Sequence, residues 1–186
     1  MLEQIIDAAI GRKKAEIVLK NGRFVNVFTG EICEGDIAIE GGKIVGFGKY
    51  EGETEYDIAG KIAVPGLIDA HVHIESSQLS PEEFARLVLP RGTTTVIADP
   101  HEITNVCGIA GAKYIADAAK NTPLEVKVML PSCVPATAFE TSGATLTGAD
   151  TEKYIGADFI HGLGEFMNYP GGIYKDAEVM KKLAAA

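Results

Sequence analysis

The stretch that decides the fold is Val64-Pro-Gly-Leu-Ile-Asp-Ala-His-Val-His-Ile-Glu75. Alternate side chains of a β-strand share a face, so Asp69, His71 and His73 point one way and the aliphatic residues between them point the other. By the rise of a strand, the two imidazoles lie about 7 Å apart, close enough to converge on one divalent ion. The alternative to a metal site is that the two histidines lie on a solvent-exposed edge strand and bind no ion. The wholly aliphatic opposite face is typical of a covered parallel sheet and favours a metal site at His71 and His73.

Runs typical of strands and of helices alternate after Pro65. Strand starts at positions 66, 93, 124 and 158 are 27, 31 and 34 residues apart, about the length of a repeating βα unit, which predicts a parallel α/β sheet. A full TIM-like (β/α)8 barrel needs about 250 residues, and the 121 residues from Gly66 to Ala186 are about half of that. We therefore expect the first half of such a barrel, with a doubly wound sheet as the alternative. The predicted strands lie near 66–74, 93–99, 124–130 and 158–165, and the predicted helices near 81–90, 106–121, 149–155 and 176–185.

The residues before this α/β region follow a different pattern. Apolar residues at helical spacing predict a short helix over residues 2–10, and short runs rich in Val, Ile and Phe predict an antiparallel β unit of four or five strands. Hairpin turns are expected at Asn21-Gly22, Thr29-Gly30 and Gly41-Gly42. The chain is therefore expected to divide into a small helix and β domain, residues 1–64, and an α/β domain, residues 65–186.

Further polar residues follow the predicted strands directly. Glu165 ends the fourth strand, where a carboxylate can bridge two ions, although it could equally cap the strand in water. Asp99, His101 and Glu102 place three titratable groups on the loop after the second strand, suited to proton transfer or substrate contact. An ordinary Asp-Pro turn with a helix cap is the alternative there. His161 is expected to be an interior or supporting histidine.

Composition narrows the function classes. Seventeen Lys and Arg against 26 Asp and Glu give a net charge of −9, which lacks the electrostatic footprint of a nucleic-acid binder. No stretch predicts a signal peptide or a membrane span. Three cysteines, Cys33, Cys107 and Cys133, are too few for a secreted disulfide framework and favour the cytoplasm. We expect a small-molecule substrate and neither a nucleic-acid nor a membrane partner.

Residues 64–73 resemble the strand with which members of the amidohydrolase superfamily open their barrel. The chain is similar above all to the bacterial and archaeal adenine deaminase family. That resemblance rests on four stretches, His71-Val-His-Ile-Glu-Ser-Ser77, Arg91-Gly-Thr-Thr-Thr-Val-Ile-Ala-Asp-Pro-His-Glu-Ile103, Leu130-Pro-Ser-Cys-Val-Pro-Ala136 and Gly162-Leu-Gly-Glu-Phe-Met-Asn168.

The resemblance implies hydrolytic deamination of adenine to hypoxanthine and ammonia by hydroxide activated at a binuclear metal centre. It places His71 and His73 on one ion and Glu165 in the bridging position, with the remaining ligands on later strands. Asp99, His101 and Glu102 would orient the purine or carry a proton. Manganese is the metal that the family favours, and iron or zinc are the alternatives.

Two alternatives to the deaminase remain open, namely another amidohydrolase, such as a cyclic-amide hydrolase or a deacetylase, and a non-catalytic scaffold. The chain stops inside the helical run Lys181-Lys-Leu-Ala-Ala-Ala186, which we interpret as truncation within the barrel. Unpaired strand edges would make such a piece poorly stable or prone to aggregation, and inactive alone. For the full-length protein we expect a homo-oligomer that takes part in purine salvage.

Overall fold

The computed structural model describes residues 2–137 and 139–186. They form two compact units, the first reaching Pro65 and the second spanning Gly66–Ala186. Together the units make a mixed α/β chain, as the sequence predicts. Among the described helices, none combines the length and apolar character needed to cross a bilayer.

The first unit consists of a helix and, within the described residues, a five-stranded sheet in the order β3-β2-β1-β4 with β5 also paired to β1. Neighbours β1, β2 and β3 are antiparallel, but β4 and β5 run parallel to β1, so the prediction of an antiparallel unit is wrong for these two strands. The cause is the connection, because a chain leaving β3 crosses the sheet before it reaches the far side of β1. The elements are α1 Leu2–Ala9, β1 Ala15–Asn26, β2 Glu31–Glu40, β3 Lys43–Gly48, β4 Gly52–Asp57 and β5 Ile62–Ala63.

The three predicted hairpin turns have different outcomes. At Gly41-Gly42 both residues have positive φ, 57° and 72°, and Glu40 pairs with Lys43, which confirms a two-residue hairpin. The Thr29-Gly30 turn also joins paired strands. The prediction of a turn at Asn21-Gly22 is wrong, because β1 continues through these residues. The positive φ of Asn21, 58°, coincides with a register shift between β1 and β2.

The second unit is built on a parallel sheet of three strands, in the order β6-β7-β8 within the residues described. This confirms the first three predicted strands of the α/β region. Ile74, Val96, Val128 and Leu130 are almost completely buried in its core. The strands are β6 Leu67–Val72, β7 Thr93–Ala98 and β8 Glu125–Val128, and the α-helices are α2 Pro81–Val88, α3 His101–Cys107, α4 Ile109–Ala119, α5 Gly148–Tyr154, α6 Tyr169–Ile173 and α7 Ala177–Ala185. Two short 3₁₀ helices span Ile74–Ser77 and Leu89–Arg91.

The predicted fourth strand is shorter than expected. Residues 158–165, all of them described, contain a single bridge between Leu130 and Leu163 rather than a regular strand. Backbone bonds from His161 to Val128 (2.8 Å) and from Gly164 to Leu130 (2.7 Å) nevertheless run it alongside the end of β8. The glycines at 162 and 164 weaken a strand that is paired on this one side. Glu165 therefore lies just beyond the ladder.

The helix predicted over 106–121 is two helices. Gly108 breaks it with φ 63° and ψ −153°, and α3 begins earlier, at His101. As a result, His101 and Glu102 lie in the first turn of α3 and not in the predicted loop, which is reduced to Asp99 and Pro100. The start of α2 is confirmed, with Ser80 Oγ accepting from the backbone N–H of Glu83 at 3.4 Å.

Candidate metal centre

His71 and His73 converge at the carboxyl end of β6. Their Nε2 atoms lie 3.2 Å apart, and the two rings meet edge to face with centroids 4.9 Å apart. The alternation of a strand puts both side chains on one face, and the end of the strand lets the second ring turn toward the first. A separation of this size allows both nitrogens to lie ~2.0–2.1 Å from a single ion, the usual length of a zinc to imidazole bond.

Glu165 reaches the same two nitrogens from the segment beside β8. Its Oε2 atom lies 3.4 Å from Nε2 of His71, and its Oε1 atom lies 3.3 Å from Nε2 of His73. The three side chains thus form a group whose potential ligand atoms all lie within 4.8 Å of one another. The structure brings together the three residues that the sequence selects as ligands.

Glu102 and Ser76 orient the second histidine. Glu102 Oε2 lies 3.1 Å from Nδ1 of His73, and Ser76 Oγ donates to Oε1 of the same carboxylate at 2.7 Å. Burial acts to raise the pKa of Glu102, but the Ser76 hydrogen bond and the nearby His73 outweigh it and lower this pKa. An anionic Glu102 favours the His73 tautomer with its proton on Nδ1, which turns the lone pair of Nε2 toward His71 and Glu165.

The donor set fits a divalent cation. Two imidazole nitrogens cannot both direct protons at each other across 3.2 Å, so at least one lone pair faces the cluster centre. Two carboxylate oxygens face it as well, one toward each ring. A positive ion is the group that such acceptors bind best, and mixed nitrogen and oxygen ligands suit zinc, iron or manganese.

Asp99 lies behind this cluster and has no exposed surface. Its Oδ2 atom accepts the backbone N–H of Glu165 at 2.7 Å. Its Oδ1 atom is 2.7 Å from Nδ1 of His101, although the two groups are not aligned for a hydrogen bond. The sequence groups Asp99 with residues that could contact substrate, but its complete burial points to a supporting role.

A pocket of about 250 Å³ opens beside the cluster. His101 lies in its wall, almost completely buried, with its ring centroid 5.9 Å from that of His73. Direct catalytic roles for His101 and Glu102 stay predictions. The lining residues are His73, His101, Glu102, Asn105, Cys133, Ala136, Glu140, Glu165 and Met167.

Ser132 and Gly164 belong to the site although sequence reasoning did not select them. The Ser132 hydroxyl donates a short hydrogen bond to the backbone C=O of Glu165. Both residues fall in the stretches that carry the family resemblance, where two neighbouring chain segments end. That position is the feature of the sequence from which they could have been selected as site residues. His161 is exposed and lies outside the cluster, which corrects the expectation of an interior or supporting histidine.

Potential metal ligands gather at the carboxyl ends of parallel strands, beside a small pocket, an arrangement typical of metal-dependent α/β enzymes. Comparison with known proteins makes the class specific. Residues 62–186 match the Amidohydrolase family, and the chain belongs to that family.

Curated relatives agree with this assignment. The chain is 56% identical over 185 residues to an adenine deaminase of Clostridium acetobutylicum, covering 100% of this chain and 32% of that protein. It is 55% identical over 186 residues to an adenine deaminase of Brucella anthropi, covering 100% of this chain and 33% of that protein. The chain thus spans about a third of the length of these curated relatives.

Among solved structures, an N-acyl-D-glutamate deacylase of Bordetella bronchiseptica shares the fold. Its TM-score is 0.65 at 17% identity, over 94% of this chain and 43% of that one. At this identity the likeness concerns the fold alone. The predicted family resemblance is confirmed by the family match and the relatives.

Proposed function

We propose that this chain supplies part of the metal centre and substrate pocket of an adenine deaminase, which converts adenine and water into hypoxanthine and ammonia. The observation that carries the proposal is the convergence of His71, His73 and Glu165, within 4.8 Å, in a chain 56% identical to a named adenine deaminase. Its position at the ends of parallel strands supports the further proposal that the sheet is the start of a (β/α)8 barrel.

The metal we propose is manganese in a binuclear centre, with iron or zinc as alternatives that the same donors accept. A bound divalent ion would supply Lewis acidity that brings the pKa of water toward neutrality. His71 and His73 would hold one ion, and Glu165 would bridge two. Support for bridging comes from the carboxylate of Glu165, whose two oxygens face different imidazoles and are both available to ions.

Proton transfer would fall to the residues around the pocket. Glu102 would be a proton acceptor because its carboxylate lines the pocket and lies 3.1 Å from Nδ1 of His73. His101, in the pocket wall, would face the purine. Water and ammonia are the small reactant and product, so the pocket has to accommodate little more than the heterocycle.

The cellular setting follows from the same proposal. Adenine deamination would place the protein in purine salvage, and we further propose that the full-length protein is a cytoplasmic homo-oligomer. A net charge of −9 supports a small-molecule substrate over a nucleic acid, whose phosphates it would repel.

A chimera tests the proposal directly. This chain would replace the matching 32% of the Clostridium acetobutylicum relative, and the purified product would be assayed for ammonia release from adenine and for ring opening of a cyclic ureide. We expect deamination of adenine that falls by about 1,000-fold or more when His73→Ala removes a ligand, since metal-activated hydroxide carries most of the catalysis.

Each other outcome favours a specific alternative. Activity on the ureide alone would replace the deaminase with a cyclic-amide hydrolase. A folded chimera that binds no stoichiometric metal and turns over neither substrate would favour the non-catalytic scaffold.

A further inference from the structure

We infer that Asp99 and Ser132 are positioning residues. They bind the backbone N–H and the backbone C=O of Glu165, respectively, and so direct its carboxylate toward the two histidines. We call these three residues the Glu165 clamp. The inference rests on the proposed function in one respect, namely that Glu165 is a metal ligand. It concerns how that ligand is held in place.

The peptide of Glu165 needs partners from outside the sheet. The last ladder bond in this segment runs from the N–H of Gly164 to the C=O of Leu130, at 2.7 Å. One residue later the segment has left the ladder, and buried backbone groups must then find other partners. The N–H of Glu165 donates to Asp99 Oδ2 at 2.7 Å, and its C=O accepts from the Ser132 hydroxyl.

Both partners are themselves fixed. Asp99 and Ser132 are each 0% exposed. The N–H of Asp99 donates to the C=O of Val72 at 2.9 Å, and the C=O of Ser132 accepts from Nζ of Lys182, a buried lysine on α7, at 2.8 Å. The clamp therefore ties Glu165 to the ends of β6, β7 and β8 and to a helix, through hydrogen bonds that include charged groups and are strong in a buried setting.

Gly164 shows how closely the backbone approaches Asp99. A Cβ atom at this position would lie 2.4 Å from Oδ2 and 2.6 Å from Cγ of the Asp99 carboxylate, so any side chain would push the two apart. Gly162, two residues earlier, offers the matched case. A Cβ there would meet Cε of Met129 at 2.8 Å, and this flexible end of a side chain can move aside.

The side chain of Glu165 has little else to hold it. It is 42% exposed, and its ion pairs within the described chain are with the two histidines that it faces. A carboxylate on such a side chain loses its direction when the backbone shifts, because packing does not lock its rotamer. The backbone bonds of the clamp are therefore what places the third ligand.

The test uses the whole chain with Co²⁺ as the probe, since its visible absorption reports ligand number and geometry. Gly164→Ala and Ser132→Ala would be compared with the matched variant Gly162→Ala. We expect the first two to weaken Co²⁺ binding by about 10-fold or more and to change the visible spectrum, as for other groups that orient ligands. Gly162→Ala should bind within about twofold of the original chain. Far-UV circular dichroism and urea midpoints would confirm that each variant is folded.

A second readout needs no metal. Amide hydrogen exchange at Glu165 should be slow in the original chain and in Gly162→Ala, and faster in Gly164→Ala. Equal Co²⁺ affinity and identical spectra in all variants, or rapid exchange at Glu165 in the original chain, would overturn the clamp. Slow exchange in a chain that binds no Co²⁺ would instead refute the proposed metal site and leave the clamp standing. If Gly164→Ala does not fold, Ser132→Ala, which removes one hydroxyl, decides the spectroscopic comparison.

Discussion

The two units differ in how completely their buried polar side chains are hydrogen-bonded. In the first, the buried carboxylate of Asp36 accepts from Nζ of Lys20 at 2.6 Å and from the backbone N–H groups of Asn21 and Tyr50 at 3.2 and 3.3 Å. In the second, several buried side-chain atoms lack a hydrogen-bond partner. All such atoms within the described chain fall between residues 75 and 105, namely Glu75 Oε2, Asp99 Oδ1, His101 Nδ1 and Nε2, Thr104 Oγ1 and Asn105 Oδ1.

One carboxyl group from each unit shows the same contrast in its pKa. For Asp36, burial acts against ionisation, but the hydrogen bonds from Lys20 and the backbone lower the pKa overall. For Glu75, burial and then the charge of Glu102 raise the pKa despite a bond from the N–H of Ile103. The first unit stabilises its buried charge, whereas the second leaves one unfavourable.

This difference separates a scaffold from a site. A buried polar group without a partner costs about 1–3 kcal/mol, which a purely structural region has no reason to keep. Such groups collect where a ligand will supply the missing interactions. Their concentration beside His71, His73 and Glu165 supports the location of the candidate centre independently of the motifs.

Removing one ligand gives the largest expected effect. His73→Ala should weaken Zn²⁺ binding by about 100-fold or more, because it deletes a ligand and exceeds the 10–100-fold typical of orienting groups. His161→Ala is the matched control, since that histidine is exposed and lies outside the cluster. Competition with a chromophoric chelator measures both affinities. An equal loss in the two variants would mean that the unpartnered groups of the second unit do not mark a metal site.

Removing the charge partner of Asp36 should have the next largest effect. Lys20→Met keeps the apolar stem and should cost about 2 kcal/mol at neutral pH, below the ~3–5 kcal/mol of a fully buried pair, because the Lys20 side chain is 26% exposed. Urea unfolding followed through amide exchange in β1 measures the cost. A loss near zero would show that the first unit does not depend on this pairing.

The same variant has a predictable pH dependence. A carboxyl group with a lowered folded-state pKa contributes stability above its unfolded pKa, and this contribution is lost as the pH falls through the folded value. The difference between the original chain and Lys20→Met should therefore be greatest above about pH 4 and shrink in more acidic solution. A difference that grows on acidification would contradict the assigned direction.

Two threonines give the smallest and most closely matched test. Thr104 in α3 and Thr151 in α5 are 0% and 1% exposed, but only the hydroxyl of Thr151 has a partner, the C=O of Thr147 at 3.3 Å. Thr104→Val should raise the free energy of unfolding by about 1 kcal/mol, whereas Thr151→Val should lower it by a similar amount. Thermal unfolding monitored by circular dichroism compares the two variants. Stability changes of the same sign would contradict the contrast between an unpartnered and a hydrogen-bonded hydroxyl.

Local patterns explain how much of the fold the sequence predicts. Alternation in residues 66–74 identifies β6 and places His71 and His73 on one face, and Ser80 followed by Pro81 marks the start of α2. Short-range signals fail where a longer contact decides. Asn21-Gly22 has the composition of a hairpin turn, but continuous pairing of β1 with β2 converts it into an irregularity within one strand.

The candidate site divides in the same way. The candidate ligands His71, His73 and Glu165 are recognisable because their residue types and their places at strand ends are local properties. The supporting contacts are not, since Asp99 and Glu165 are 66 residues apart in the chain and Ser132 and Glu165 are 33 apart. Their pairing depends on which strand ends become neighbours, and no periodicity carries that information.

By itself the sequence determined the alternation of strands and helices, the capped start of α2 and the residue types of the candidate metal ligands, because side-chain alternation and capping act within a few residues. Only the tertiary structure decided the direction of β4 and β5, the break at Gly108, and the hold of Asp99 and Ser132 on Glu165. These features arise from backbone groups that find partners across the sheet, and a buried polar group accepts whichever partner the completed packing brings within reach.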